Sequence, residues 1–251
     1  MSHDAEKVDD IKEHLLKIFN YVQKKYVFIR IPKTGSASMN ASLWNATESA
    51  HFQRKKENVN VWLQAPGKNS TLGGWWDHYS AQFCARSLGN FEWENTISFS
   101  MVRNPFARLY SMWKYEELHT SFKEWLISGA QFSSHRPHHD LVYPKNHMLS
   151  QKSWLADSDN NLMVNFVFRL EEVEEIAPSA LSQIIDSRFR LYTERINQTS
   201  KPGEYIEHYD NEMIDFVYKN CKDDLETFHY EFDTIKEPSW FYWNGTFNGL
   251  E

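Results

Sequence analysis

The chain has 251 residues, 41% of them hydrophobic and 16% aromatic, with ten Trp. That is length enough for one large α/β domain or two small ones, with a substantial core. A net charge of −7 argues against broad electrostatic binding of nucleic acid or strongly anionic polymers, while leaving room for a local basic cleft.

Cys84 and Cys221 are the only cysteines. They leave one disulfide open but do not form the framework of a small secreted protein. Residues 1–25 are charged and amphipathic, without a continuous apolar run, so they read as neither signal peptide nor membrane anchor. The expectation is a cytoplasmic chain with no membrane insertion. The sequons at Asn40, Asn45, Asn69, Asn197 and Asn244 are then chance matches in a sequence rich in Asn and Ser; a lumenal fragment is the alternative.

In chain order, Val8, Ile11, Leu15, Ile18, Phe19 and Val22 recur at helical spacing and predict an amphipathic helix over 4–24. Tyr26–Ile31 reads as a short buried strand running into Pro32-Lys33-Thr34-Gly35-Ser36-Ala37-Ser38, then a helix to about Trp44. Residues 52–74 are polar and broken by Pro66-Gly67 and Gly73-Gly74, an irregular excursion. Trp75–Leu88 reads as helix and Thr96–Val102 as a second buried strand. The latter closes at Arg103-Asn104-Pro105 before a helix from Phe106 to about Leu118. Residues 129–147 are rich in His and Pro and irregular. Val164–Leu170 is a third strand, 171–186 an acidic helix with a solvated face, and Asp210–Thr227 a further helix. Strands alternating with helices predict a single α/β domain with a central parallel sheet, whose ligand crevice lies beyond the carboxyl ends of the strands. No internal repeat or linker divides 1–251.

Two segments at that edge carry chemistry. In the 32–38 loop, small residues let backbone N–H groups approach an anion, and the following helix presents its positive end. Lys33 adds a movable charge, and Thr34, Ser36 and Ser38 add hydroxyls. An ordinary strand-to-helix turn is the plainer reading. A triphosphatase loop needs G-x-x-x-x-G-K-[ST]; here Lys33 precedes the loop's one glycine, Gly35, so order and spacing both fail. In Met101–Ser111, Arg103 ends the strand and Ser111 lies two turns into the next helix. A phosphate between them would take a forked guanidinium contact and a hydroxyl hydrogen bond. Taken alone, Arg and Ser eight apart also fit a solvated helix face.

Together the segments resemble the PAPS-dependent sulfotransferases, in particular the branch of carbohydrate sulfotransferases and their bacterial relatives. IPKTGSAS is similar to that family's 5′-phosphosulfate loop, PKTGSTS or PKTGGTS, and VRNPFARLYS to its 3′-phosphate element, VRNPxxRxxS. Their occurrence in order, about seventy residues apart, is more specific than either alone. Looser echoes at Asp77–Ala81, 166–173, Asn197–Lys201 and 224–232 extend the resemblance over about 26–232, leaving an aromatic tail at 233–251. Ala37 departs from the family, where Ser or Thr is common.

The resemblance implies a sulfotransferase-like P-loop fold and transfer of the sulfuryl group of PAPS to an acceptor hydroxyl of a saccharide or small natural product, with PAP as product. Lys33 would neutralise charge on the leaving oxygens, and residues 33–38, Lys33 through Gly35 and Ala37 to Ser38, would hold the 5′-phosphate. Arg103 and Ser111 would grip the 3′-phosphate, and Thr199, Ser200 and Lys201 would belong to a late loop over the donor. His78 is the candidate general base, with Asp77 the next choice. This chemistry requires no metal. His135, His138, His139 and His147 lack metal-site spacing and read as substrate contacts or a solvated loop. Trp240, Phe241, Tyr242 and Trp243 read as packing before a sugar platform. The rival readings are a Mg²⁺-dependent phosphotransferase and a non-catalytic nucleotide- or glycan-binding module on the same fold.

Overall fold

A computed structural model describes residues 25–43, 78–94, 96–116, 119–128, 150–184, 190–191, 201–234 and 241–243. The expected helix over 4–24, the 52–74 excursion and the His-rich stretch lie outside them.

The described strands form one sheet in the order β1 (Lys25–Ile29), β2 (Thr96–Val102), β3 (Phe166–Arg169) and β4 (Phe241–Trp243). β1, β2 and β3 run parallel, as the alternation of strands and helices predicts, and β4 joins the far edge antiparallel to β3. β2 is buried at all seven positions, which is what a central parallel strand covered on both faces requires. Within the aromatic tail Phe241–Trp243 is thus a strand, and Tyr242 packs against the core.

Successive side chains point to opposite faces of a strand, and each face here has its own core. One face carries Phe28, Ile97, Phe99, Met101, Phe166 and Phe168, covered by Met39 and Leu43 of the 36–43 helix and by Ile176, Ala180 and Leu181 of the Val173–Ile184 helix. Phe28 stacks on Phe99 with ring centroids 5.1 Å apart, and Phe99 meets Phe168 edge-on at 6.3 Å. Each such fully buried Phe contributes about 1.5–3 kcal/mol of transfer free energy. The opposite face carries Val27, Ile29, Val102 and Val167 under the helices Ala81–Leu88, Pro105–Glu116, Phe122–Ile127, Asn211–Asn220 and Lys222–Thr227. Here β2 also presents Ser98 and Ser100. Their hydroxyls are used internally, Ser98 donating to Asn165 Oδ1 at 2.9 Å and Ser100 to the Ile29 carbonyl at 2.8 Å.

Two helices differ from expectation. The helix expected over 75–88 starts at Ala81, because the Ser80 hydroxyl accepts from the Phe83 amide at 3.2 Å and caps it. His78 therefore lies in the extended approach to that helix, not within it. The helix expected over 210–227 is two, Asn211–Asn220 and Lys222–Thr227, broken at Cys221 with φ −112° and ψ 21°. Asp210 caps the first through the Met213 amide at 3.0 Å. Cys84 and Cys221 are both buried and form no disulfide.

Candidate active site

The site is assembled where β1 and β2 end. β1 delivers Pro32 to Ser38, and the helix over 36–43 begins inside that loop. Lys33 and Gly35 both have positive φ, 65° and 76°. For glycine this is free; for a lysine it costs about 1–3 kcal/mol and persists only where the surroundings enforce it. A Cβ at Gly35 would in addition lie 2.6 Å from Leu170 Cδ1, the movable end of that side chain. The Thr34 side chain is fully buried and its hydroxyl donates to the Ile31 carbonyl at 3.0 Å. What Thr34 offers a ligand is thus its amide. Ser36 is also buried, while Ala37 and Ser38 are half-buried. The first amides of a helix have no partner within the helix, and at 36–38 they stand beside small side chains that let an anion approach.

β2 delivers the second element. The Pro105–Glu116 helix starts with proline at its first position, where no amide is missed. The Asn104 side chain caps it, accepting from the Phe106 amide at 3.0 Å. Asn104 also donates through Nδ2 to the Glu231 carbonyl at 2.7 Å, and its amide donates to Glu171 at 2.9 Å. The strand end is thereby tied to two distant segments.

The two elements meet through their arginines. Arg103 Nη1 donates to the Lys33 carbonyl at 3.4 Å. Arg108, fully buried one turn into the helix, donates through Nε to the Pro32 carbonyl at 2.9 Å. Burial pulls the Arg108 guanidinium down to about 10, against the attraction of Asp224 and Cys221, and Arg103 pulls in the same direction. It remains a cation at neutral pH. Lys33 is also depressed, to about 8, first by burial and then by Arg103. Its Nζ lies 4.1 Å from the centre of the Tyr115 ring, a cation–π contact. Tyr115 stands one turn beyond Ser111 on the same helix, so Lys33, Ser111 and Tyr115 share one side of it. Ser111 is buried. The result is a cluster of cations, Lys33, Arg103 and Arg108, at one sheet edge, suited to an anionic ligand.

His78 approaches the same edge from the preceding segment. Its Nδ1 lies 2.8 Å from the Arg30 carbonyl, and its ring meets Trp154 edge-on at 6.3 Å. A carbonyl only accepts, so Nδ1 carries the hydrogen and the neutral ring has its lone pair on Nε2, as a general base requires.

Of the late loop, Thr199 and Ser200 lie outside the described residues. Lys201 opens the turn leading to Glu204–His208, and its amide donates to Glu204 at 2.8 Å. Glu204 in turn accepts from Lys114 Nζ at 2.6 Å and from the Tyr110 hydroxyl at 3.0 Å. The His208 ring stacks on Tyr110 at 4.7 Å. The segment around Lys201 is thus docked on the helix that carries Ser111. Glu204 is held down to about 2, chiefly by its hydrogen bond from Lys114.

The structure brings Lys33, Thr34, Gly35, Ser36, Ala37, Ser38, Arg103 and Ser111 to one edge, with His78 beside them. Sequence analysis does not single out Arg108, Tyr115 or Glu204, nor Gln151, whose carboxamide hydrogen-bonds both the Arg103 amide and the Arg103 carbonyl at 2.8 Å. Arg108 stood inside the VRNPFARLYS segment, and helical spacing from Ser111 pointed at Tyr115. Gln151 and Glu204 had no local signal. Among the described residues no group of three or more His, Cys, Asp or Glu is placed to hold a metal, and His135, His138, His139 and His147 lie outside. Nor is any described helix long and apolar enough to cross a membrane.

A family model described as "Sulfotransferase family" matches residues 18–231, most of the chain and both loops of this edge. No curated protein and no solved structure matches.

Proposed function

Since the chain belongs to the sulfotransferase family, we propose that it transfers the sulfuryl group of PAPS to a hydroxyl of a saccharide or small natural product. The observation that carries this reading is the joining of the 32–38 loop to Arg103 and Arg108 at one sheet edge. Two anion-binding elements are thereby held at fixed separation, as a nucleotide with both a 5′- and a 3′-phosphate requires. The amides of 34–38 take the 5′-phosphate, and Arg103 with Ser111 takes the 3′-phosphate. Thr199, Ser200 and Lys201 contribute from the late loop.

In the reaction the acceptor oxygen forms a bond to sulfur while the bond from sulfur to the bridging phosphate oxygen breaks. Lys33 stabilises the charge left on the phosphate side, preferentially in the transition state. His78 takes the acceptor proton through Nε2, and its Nδ1 donation to Arg30 disperses the positive charge that results. The charge of −7 favours a neutral acceptor over a polyanionic glycan.

The test is ligand-dependent thermal unfolding. PAP is expected to raise the midpoint far more than AMP or ATP, since a ligand at one hundred times its Kd adds about 2.7 kcal/mol. Equal shifts with PAP and AMP would remove the 3′-phosphate assignment. A larger shift with ATP and Mg²⁺ would favour a phosphotransferase. Radiolabelled PAPS offered with acceptors of several classes then identifies the substrate.

A further inference from the structure

We infer that Gln151 is the positioning residue for Arg103: its carboxamide grips the Arg103 peptide on both sides and thereby sets the aim of the guanidinium at the 3′-phosphate. The inference rests on the donor reading above. β2 ends at Val102, and from Arg103 onward the chain has no ladder of its own to hold it. Gln151, fully buried and 48 residues away in sequence, takes the place of a strand partner. Its Oε1 accepts from the Arg103 amide at 2.8 Å and its Nε2 donates to the Arg103 carbonyl at 2.8 Å.

Gln151 is itself fixed. Its Nε2 also donates to Asp224 Oδ2 at 3.2 Å, and its own amide donates to the same oxygen at 2.6 Å. Asp224 further accepts from the Lys152 amide at 2.8 Å and the Ser150 hydroxyl at 3.3 Å. Asp224 is buried too. Both hydrogens of the Gln151 amide group and its oxygen are thus engaged, which fixes its orientation and leaves no second way to satisfy the site. A hydrocarbon side chain would only fill space here. A carboxamide reads both polar groups of one peptide unit's flanks and so fixes the peptide planes on each side of the Arg103 Cα. The Cα direction determines where a long side chain can reach, and the bidentate contact of arginine with phosphate is sensitive to that direction.

The experiment compares PAP with AMP, which lacks the 3′-phosphate, on the full chain by calorimetric titration. Gln151→Leu removes all three side-chain hydrogen bonds at similar volume. Gln151→Glu keeps an acceptor for the Arg103 amide but loses the Nε2 donor and sets a carboxylate against Asp224. In both, the ratio of PAP to AMP affinity is expected to fall about tenfold or more, with AMP affinity changed less than about twofold, as loss of one charge-assisted contact implies. A merely structural role would weaken both nucleotides alike or lower only the unfolding midpoint, and either result overturns the inference. So does an unchanged ratio. If the wild-type chain itself fails to prefer PAP, the donor reading fails first and takes this one with it. Amide hydrogen exchange on the wild-type chain guards against variants that do not fold. The Arg103 amide, bonded to a buried side chain, is expected to exchange slowly, and exchange as fast as in exposed turns would overturn the proposal without any substitution.

Discussion

The ammonium of Lys33 is pulled toward neutrality by burial and by Arg103, while the reaction proposed for it needs the charge. With a value of about 8 in the fold against 10.5 ordinarily, the two requirements give pH dependences of opposite sign. Activity falls as pH rises through about 8, because the cation is lost. Stability rises from about pH 8 toward 10.5, because over that interval the unfolded chain binds the proton that the folded chain has released. Lys33→Ala is expected to lower turnover roughly 10²–10³-fold at saturating donor, to change PAP affinity far less, and to flatten the alkaline rise in stability. Turnover close to that of wild type would end the role assigned to it. At this scale the sequence was informative only where function concentrates unusual residues in one short segment. Lys33 and Arg103 could be read there. Gln151 could not, because its partners lie 48 and 73 residues away and nothing beside it announces them.

Elements were easier to read where burial dictated composition. β2 is buried throughout from Thr96 to Val102 and stops just before the charged Arg103. The 210–227 segment misled because Met213, Val217, Cys221 and Leu225 continue one apolar stripe across the break, so hydrophobic spacing alone cannot see the non-helical Cys221. The 75–88 segment misled because a serine cap overrode a run of aromatic residues. The 32–38 loop is the element on whose shape the proposed function bears most directly. Gly35→Ala would face both a positive φ and a contact of 2.6 Å with Leu170. Leucine can turn its methyl aside, so the lasting cost is the backbone, about 1–2 kcal/mol. The expected outcome is a modest loss of stability with a larger loss of PAP affinity, as the amides lose their aim. Trimming Leu170 to Ala in the same chain should not restore binding. If it does, crowding rather than backbone geometry is what the glycine relieves.

For the whole molecule, the two-sided core follows from the alternation of strands and helices, which is legible in the sequence as a class. What alternation could not give was the antiparallel β4, since a three-residue strand is too short to show a period. It lies beside β3, the opposite edge of the sheet from β1. In chain order, then, the loop at 32–38 emerges early in synthesis, while β4 follows β3 only at residues 241–243. Among the described strands only β4 lies on that side of β3 (Phe166–Arg169), so a sheet formed without β4 has unpaired backbone groups there, a template on which strands of other chains can add. A chain ended at residue 234 is expected to keep the edge that carries the 32–38 loop yet to associate in a concentration-dependent way, visible as growing sedimentation coefficients. A monomer as soluble as the full chain would mean that β4 is dispensable to the sheet. A chain still being translated between residues 169 and 241 has β1, β2 and β3 but not β4, and crowding on a polysome would test that interval more severely than dilution in a tube.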